Sequence, residues 1–157
     1  MNPTSGVASG VKYFVHIGLI VEDLEETLRF LTVLGFDCGE PMVVTGEWVD
    51  RIVGLDDVRL DLAMARLPDG SDVIEVTRFR TPAARTQEPE PAANRPGLRH
   101  ISFSVDHLRE LVERVRTAGW EPVGEIVNYE DMYLLCYLRG PEGLIVELAE
   151  SIASRSG

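Results

Sequence analysis

From Lys12 to Val21 the residues KYFVHIGLIV form an almost unbroken apolar run, the pattern of a buried strand. Asp23 follows as an N-cap, with Glu26 three residues on at capping-box spacing. Leu24, Leu28, Leu31 and Leu34 then recur at helical intervals, and Gly35 closes the helix. FDCGEPMVVT reads as a strand, and GEWVDRIVGL as a short helix or lid-like loop. VRLDLAMARL and DVIEVTRF are β-like runs joined by the turn Pro68-Asp69-Gly70. The next stretch, 80–97, carries Pro82, Pro89, Pro91 and Pro96 and almost no large apolar residue, so it reads as a linker or long surface loop.

Beyond this stretch the pattern restarts. LRHISFSV reads as a strand, and DHLRELVERVRTAG as an amphipathic helix with the stripe Leu108, Leu111, Val112 and Val115. WEPVGEIV, MYLLCYLR and GLIVELAE read as three strands, with Gly140-Pro141-Glu142-Gly143 as the turn between the last two. The order is therefore β-α-β-β-β twice, an internal repeat. Laying His16 on His100 without gaps also aligns Ile17 with Ile101, Val21 with Val105, Leu24 with Leu108, Glu26 with Glu110 and Gly35 with Gly119. Ile74-Glu75-Val76 corresponds in character to Val146-Glu147-Leu148.

The expected fold class is α+β, with two tandem βαβββ modules. Their expected bounds are 11–79 and 98–150, joined by the linker 80–97, with a loose N-terminal tail at 1–10 and a C-terminal tail at 151–157. The 157 residues are enough to bury a core without disulfide staples. Cys38 and Cys136 form no CxxC or Cys/His motif and read as core or strand thiols of a reducing compartment. No apolar run nears the ~20 residues needed to span a bilayer, and the N-terminus lacks a signal-peptide pattern, so the expected location is cytoplasmic. A net charge of −11 opposes binding to phosphate backbones and argues against a nucleic-acid partner.

Four polar residues interrupt the apolar strands: His16 between Val15 and Ile17, Glu75 between Ile74 and Val76, His100 between Arg99 and Ile101, and Glu147 between Val146 and Leu148. Taken singly, a strand histidine is usually a satisfied core or edge residue, and a strand glutamate usually faces solvent. As a His…Glu pair occurring once in each half, they point to something more specific. A carboxylate is costly to bury unpaired, and two carboxylates with two imidazoles compensate one another around a divalent cation. That donor set suits Zn, Ni, Co, Mn or Fe(II). His107, beside Asp106, reads as a solvated residue of the second helix's first turn.

The segments HIGLIVEDLEETLRFLTVLGF, DVIEVTRF, LRHISFSVDHL and YLRGPEGLIVELAE resemble the vicinal-oxygen-chelate superfamily, which includes glyoxalase I, methylmalonyl-CoA epimerase, extradiol dioxygenases, and fosfomycin- and bleomycin-resistance proteins. The resemblance implies that the modules' sheets curl around one metal-bearing cleft, with His16, Glu75, His100 and Glu147 as ligands of one divalent ion. It implies a glyoxalase I-like lyase or isomerase that stabilises an enediolate or enolate next to a carbonyl, with Glu147 as the base and Glu75 as its partner. It also implies a homodimer, whose centre is either held within one chain or shared, His16 and Glu75 of one chain meeting His100 and Glu147 of the other.

Trp48, Arg51 and Tyr133 are further candidates for contacting a small-molecule substrate, against the plainer reading that Trp48 packs its helix onto the sheet. Asp50 could orient a polar group, and Tyr129, Met132 and Cys136 are placed to line the cleft or fill the core. Arg51, Arg78, Arg80 and Arg99 are scattered and form no evident anion pocket. Two other functions fit the resemblance. One is a binding protein of the bleomycin-resistance type. The other is an Fe(II) extradiol dioxygenase using His16, His100 and Glu147, against which Glu75 stands as a surplus ligand.

Overall fold

The structure is a computed structural model that describes residues 10–85 and 91–153. The expected tails at 1–10 and 151–157 and the linker at 80–97 thus lie partly outside the described residues. The first half runs β1 (Ile17–Ile20), α1 (Leu24–Leu34), β2 (Asp37–Cys38), β3 (Met42–Thr45), α2 (Glu47–Val53), β4 (Arg59–Arg66) and β5 (Asp72–Thr81). The second runs β6 (Ile101–Ser104), α3 (Leu108–Thr117), β7 (Glu121–Pro122), β8 (Val127–Tyr129), β9 (Tyr133–Arg139) and β10 (Ile145–Ser151). Each half forms its own mixed five-stranded sheet, in the orders β1-β5-β4-β2 and β6-β10-β9-β7, with β3 on β4 and β8 on β9. The first and last strands of each half pair in parallel (Gly18 opposite Glu75, Ser102 opposite Glu147), and the remaining ladders are antiparallel.

Three strand expectations change. The ladder of β1 covers only the end of the run 12–21, and Tyr13, Phe14 and Val15 before it are 75%, 69% and 61% exposed. Their apolarity marks an open surface rather than a buried strand. FDCGEPMVVT divides into β2 and β3 because Pro41 has no N–H for a ladder, while the Gly39 N–H still reaches Met64 O at 2.9 Å. WEPVGEIV divides likewise after Pro122.

The two halves share one core. Leu24, Phe30 and Leu31 of α1 and Leu108, Val112 and Val115 of α3 pack with Ile74 and Val76 of β5 and Val146 and Leu148 of β10. Phe30 meets Trp120 edge-on at 5.0 Å, and the Arg29 guanidinium lies 4.1 Å over the Trp120 ring. Capping also crosses the seam. Asp23 Oδ1 accepts from the Glu26 N–H at 2.9 Å, but Glu26 does not complete the capping box, because its carboxylate holds Arg29 instead. Glu142 from the second half takes that place, accepting from the N–H groups of Glu22 (2.7 Å) and Asp23 (3.2 Å). Within the second half, Glu150 of β10 serves the start of α3, accepting from the Leu108 N–H at 2.8 Å.

Asp61 is the one acidic group of β4 driven into this frame, 4% exposed and held by Arg78 (2.8 Å) and Arg80 (2.7 Å). Hydrogen bonding to Arg80 is the first cause that holds its carboxyl below the usual range, with Arg78 adding to it. A depressed folded pKa gives stability that is present above the unfolded value of about 3.9 and lost as the pH falls through the folded value. Both arginines are partly exposed, so solvent discounts the pair. Asp61→Asn is expected to cost about 2 kcal/mol at neutral pH, below the range for a fully buried pair. Urea titrations at neutral pH and near pH 3 check this: the gap between variant and parent should narrow in acid, and an unchanged gap would exclude the ion pair as its cause.

Candidate functional site

Alternation along each strand places the four candidate residues. In β5, Ile74 and Val76 enter the shared core, so Glu75 points to the opposite, open face of the sheet, with Thr77 on the same side but buried at 2% exposure. In β10, Val146 and Leu148 are core, and Glu147 points to the open face of the second sheet. Each histidine immediately precedes the first strand of its half and meets the glutamate of its last. His16 Nε2 is 3.6 Å from Glu75 Oε2, and His100 Nε2 is 3.6 Å from Glu147 Oε2. The side chains are 38% and 30% exposed in the first pair, and 40% and 23% in the second, so both pairs remain open to solvent.

The structure therefore brings together His16 with Glu75 and His100 with Glu147, but does not bring all four to one point. Among the described residues no three His, Cys, Asp or Glu side chains are grouped as a metal site. Each pair does fit half of one. An imidazole nitrogen and a carboxylate oxygen on the same open face, 3.6 Å apart, are placed to share a cation.

The half-sites differ in their surroundings. Ser102 Oγ donates to Glu147 Oε1 at 3.1 Å, and Tyr137, directly opposite Glu147 in the ladder, places its hydroxyl 3.4 Å from His100 Nδ1. Burial, then hydrogen bonding to Glu147 and its negative charge, raise the Tyr137 pKa above the ordinary phenol value, so the hydroxyl keeps its proton. In the first half the positions flanking Glu75 are Gly18 and Met64, and the glutamate's hydroxyl neighbour is Thr77, 3.5 Å away. Sequence reasoning missed Tyr137 and Ser102. The signal was available: Ser102 follows His100 by two residues, and Tyr137 lies four residues beyond Tyr133 on the same side of β9.

The other candidates are spread out. In α2 it is Val49 that packs down, onto Val58 and Leu60 with Val44, Leu62 and Phe79 around them. Trp48 is 63% exposed, so it does not serve as the packing residue of its helix. Leu62 and Phe79 share the face of Thr77 and Glu75, so α2 stands at one end of the first open face, with Trp48 and Arg51 on its exposed side. Asp50 is used structurally, accepting from the Val58 N–H at 2.8 Å. Tyr133 is 41% exposed on the open face of the second sheet, about 13 Å along β9 from Tyr137. Cys136 is buried in the core, where desolvation raises its thiol pKa. Arg78 and Arg80 are committed to Asp61. Arg99 donates from Nη2 to Gly143 O at 3.2 Å, while its Nε is enclosed without a partner.

Among the described residues no helix is long and apolar enough to cross a membrane. Comparison with known proteins agrees with the architecture. A glyoxalase-family protein from Bacillus cereus superposes with a TM-score of 0.86 at 33% identity, over 94% of this chain and 99% of that one. The uncharacterized protein YwkD from Bacillus subtilis is 33% identical over 112 residues, 71% of this chain and 75% of its own. A mutant of the fosfomycin resistance protein FosX from Listeria monocytogenes, complexed with Mn(II) and 1S,2S-dihydroxypropylphosphonic acid, shares the fold with a TM-score of 0.56 at 15% identity, covering 88% of this chain and 90% of that one. Residues 15–137 match the family model for this group, and the chain belongs to the Glyoxalase/Bleomycin resistance protein/Dioxygenase superfamily.

Proposed function

We propose that this chain is a metal-dependent enzyme of the glyoxalase I-like lyase or isomerase kind, working next to a carbonyl of a small-molecule substrate. The observation that carries this reading is the repeated His–Glu pair on the open face of each sheet. One divalent ion (Zn, Ni, Co, Mn or Fe(II)) would be held by His16, Glu75, His100 and Glu147. When bound, it supplies Lewis-acid stabilisation of negative charge on a substrate oxygen, as in an enediolate or enolate. The Mn(II) complex of FosX supports a divalent ion on this scaffold.

Two ligands from each pair make a full set only if the pairs meet, and a homodimer achieves this by apposing the first open face of one chain to the second open face of its partner. Exposed apolar residues on and near those faces, among them Phe14, Ile20, Val127 and Tyr129, support a covering partner. Within such a centre the protein's task is to move a proton at the carbon beside the carbonyl. Glu147 is the base in the reading drawn from the family resemblance, and Glu75 faces it as partner. The looser hold on Glu75, with Thr77 at 3.5 Å against Ser102 at 3.1 Å on Glu147, favours a second reading in which the roles are exchanged.

Elemental analysis of the purified protein, and of chelator-stripped protein re-exposed to each ion, tests the metal reading. About one first-row divalent ion per chain is expected. No uptake of any of the five would remove the catalytic reading in favour of a drug-binding protein. With metal established, Glu147→Gln and Glu75→Gln separate the two base assignments: the base variant should lose about 100-fold or more in turnover, the other less.

A further inference from the structure

We infer that the seam between the two halves holds a separate ligand site, built for a small monocarboxylate with an apolar tail and anchored by Arg99. The site goes beyond the proposed reaction and needs no metal. The seam is open for a topological reason: β1 and β6 are the terminal strands of their sheets, and no ladder joins them. The gap at these edges is a cavity of about 180 Å³, walled by Ile17 and Leu19 from the first half and by Ile101 and Leu144 from the second. Ile17, Leu19 and Leu144 also pack against the shared core, which holds the walls in place. Of the residues around the cavity, only His100 belongs to the candidate metal site.

Three other polar side chains line it: Thr27, Arg99 and Glu142. Two of them are already satisfied. The Thr27 hydroxyl donates to Asp23 O at 3.0 Å, and the Glu142 carboxylate accepts from the N–H groups of Glu22 and Asp23. Arg99 is not. Its guanidinium donates from Nη2 to Gly143 O, but Nε and Nη1 have no acceptor among the described residues. Arg99 is half-buried, yet it forms no ion pair among those residues. A cation drawn out of water without a counter-ion is costly.

These features define the ligand class. A planar guanidinium is matched by the two oxygens of a carboxylate. The apolar walls call for an apolar remainder, and the volume, below the about 300–1,000 Å³ of sites for drug-sized ligands, calls for a short one. Glu142 on the same cavity opposes a second negative charge, so a phosphate dianion is disfavoured.

The test is titration of chelator-stripped protein with hexanoate, followed by ¹H–¹³C correlation of the isoleucine and leucine methyl groups. Saturable shifts are expected at Ile17, Leu19, Ile101 and Leu144. Neutral 1-hexanol and inorganic phosphate should each bind more weakly by about 10-fold or more. Arg99→Gln should weaken hexanoate by about the same factor and leave 1-hexanol unchanged. No saturable shift at millimolar hexanoate overturns the inference, as do shifts confined to residues of the open faces. Equal binding of 1-hexanol by wild type also overturns it, and that comparison needs no variant to fold. Since the protein is stripped of metal, failure here leaves the metal reading standing, and a chain that takes up no metal can still show this site.

Discussion

Mixing the His16→Ala and His100→Ala proteins is expected to restore metal binding that neither has alone. Each variant by itself lacks one ligand at every centre of a shared-site dimer, so each should retain almost no ion after dialysis. In a mixed dimer both lesions fall on the same centre, and the other centre is assembled from the intact first half of one chain and the intact second half of the other. Random exchange puts half the chains in mixed dimers with one good centre in two, so metal content should recover to about a quarter of wild type. The prediction follows from finding the two His–Glu pairs on separate sheets, with no three potential ligands grouped as a site among the described residues. Exchange between the variants is verified independently with labelled chains. If exchange is complete and metal does not return, the centre is not shared between copies.

The second large effect concerns the seam between the halves. Phe30 is fully buried and contacts Trp120 edge-on, and a Cβ added to Gly140 would lie 2.6 Å from its ring. Phe30→Ala is expected to cost about 3–5 kcal/mol, the usual range for deleting a buried aromatic ring. Gly140→Ala should cost about 1–3 kcal/mol by overpacking, since that ring has little room to retreat. The two are coupled by direct contact: in the Phe30→Ala background the added methyl finds space, and the Gly140→Ala cost should fall close to zero. Chemical denaturation of the four proteins measures the cycle. Additive costs would show that Gly140 is constrained by something other than the ring.

These two predictions also mark what was legible in the sequence. Glu75 stands out because Ile74 and Val76 enclose it, and the same enclosure repeats at Glu147, so chain pattern alone located both carboxylates and paired each with its histidine. The helix stripe of Leu108, Leu111, Val112 and Val115 was legible for the same reason, and all four are buried. Pattern does not carry distance between elements. Nothing local shows that Glu142 reaches across to the N-terminus of α1, so Glu26 was expected to close a cap that another residue closes. Tyr137 shares a strand face with Tyr133, which was readable, but among apolar strand residues an aromatic ring is ordinary, and its place beside Glu147 comes only from the register of β9 on β10. The run before β1 misled because an apolar run suggests burial, whereas Tyr13, Phe14 and Val15 stand exposed ahead of the ladder.

The alternation in β5 and β10 has a further consequence for how this chain can change over time. Ile74, Val76, Val146 and Leu148 answer to folding, whereas Glu75 and Glu147, on the reverse side of the same strands, stand outside the core and under the proposed function answer to chemistry. Selection can act on the two sets almost independently, since replacing an open-face side chain leaves the packed one beside it in place. A lineage built this way can exchange one substrate for another through a few open-face substitutions while its foldability drifts little, and one backbone plan can pass through many activities without being rebuilt.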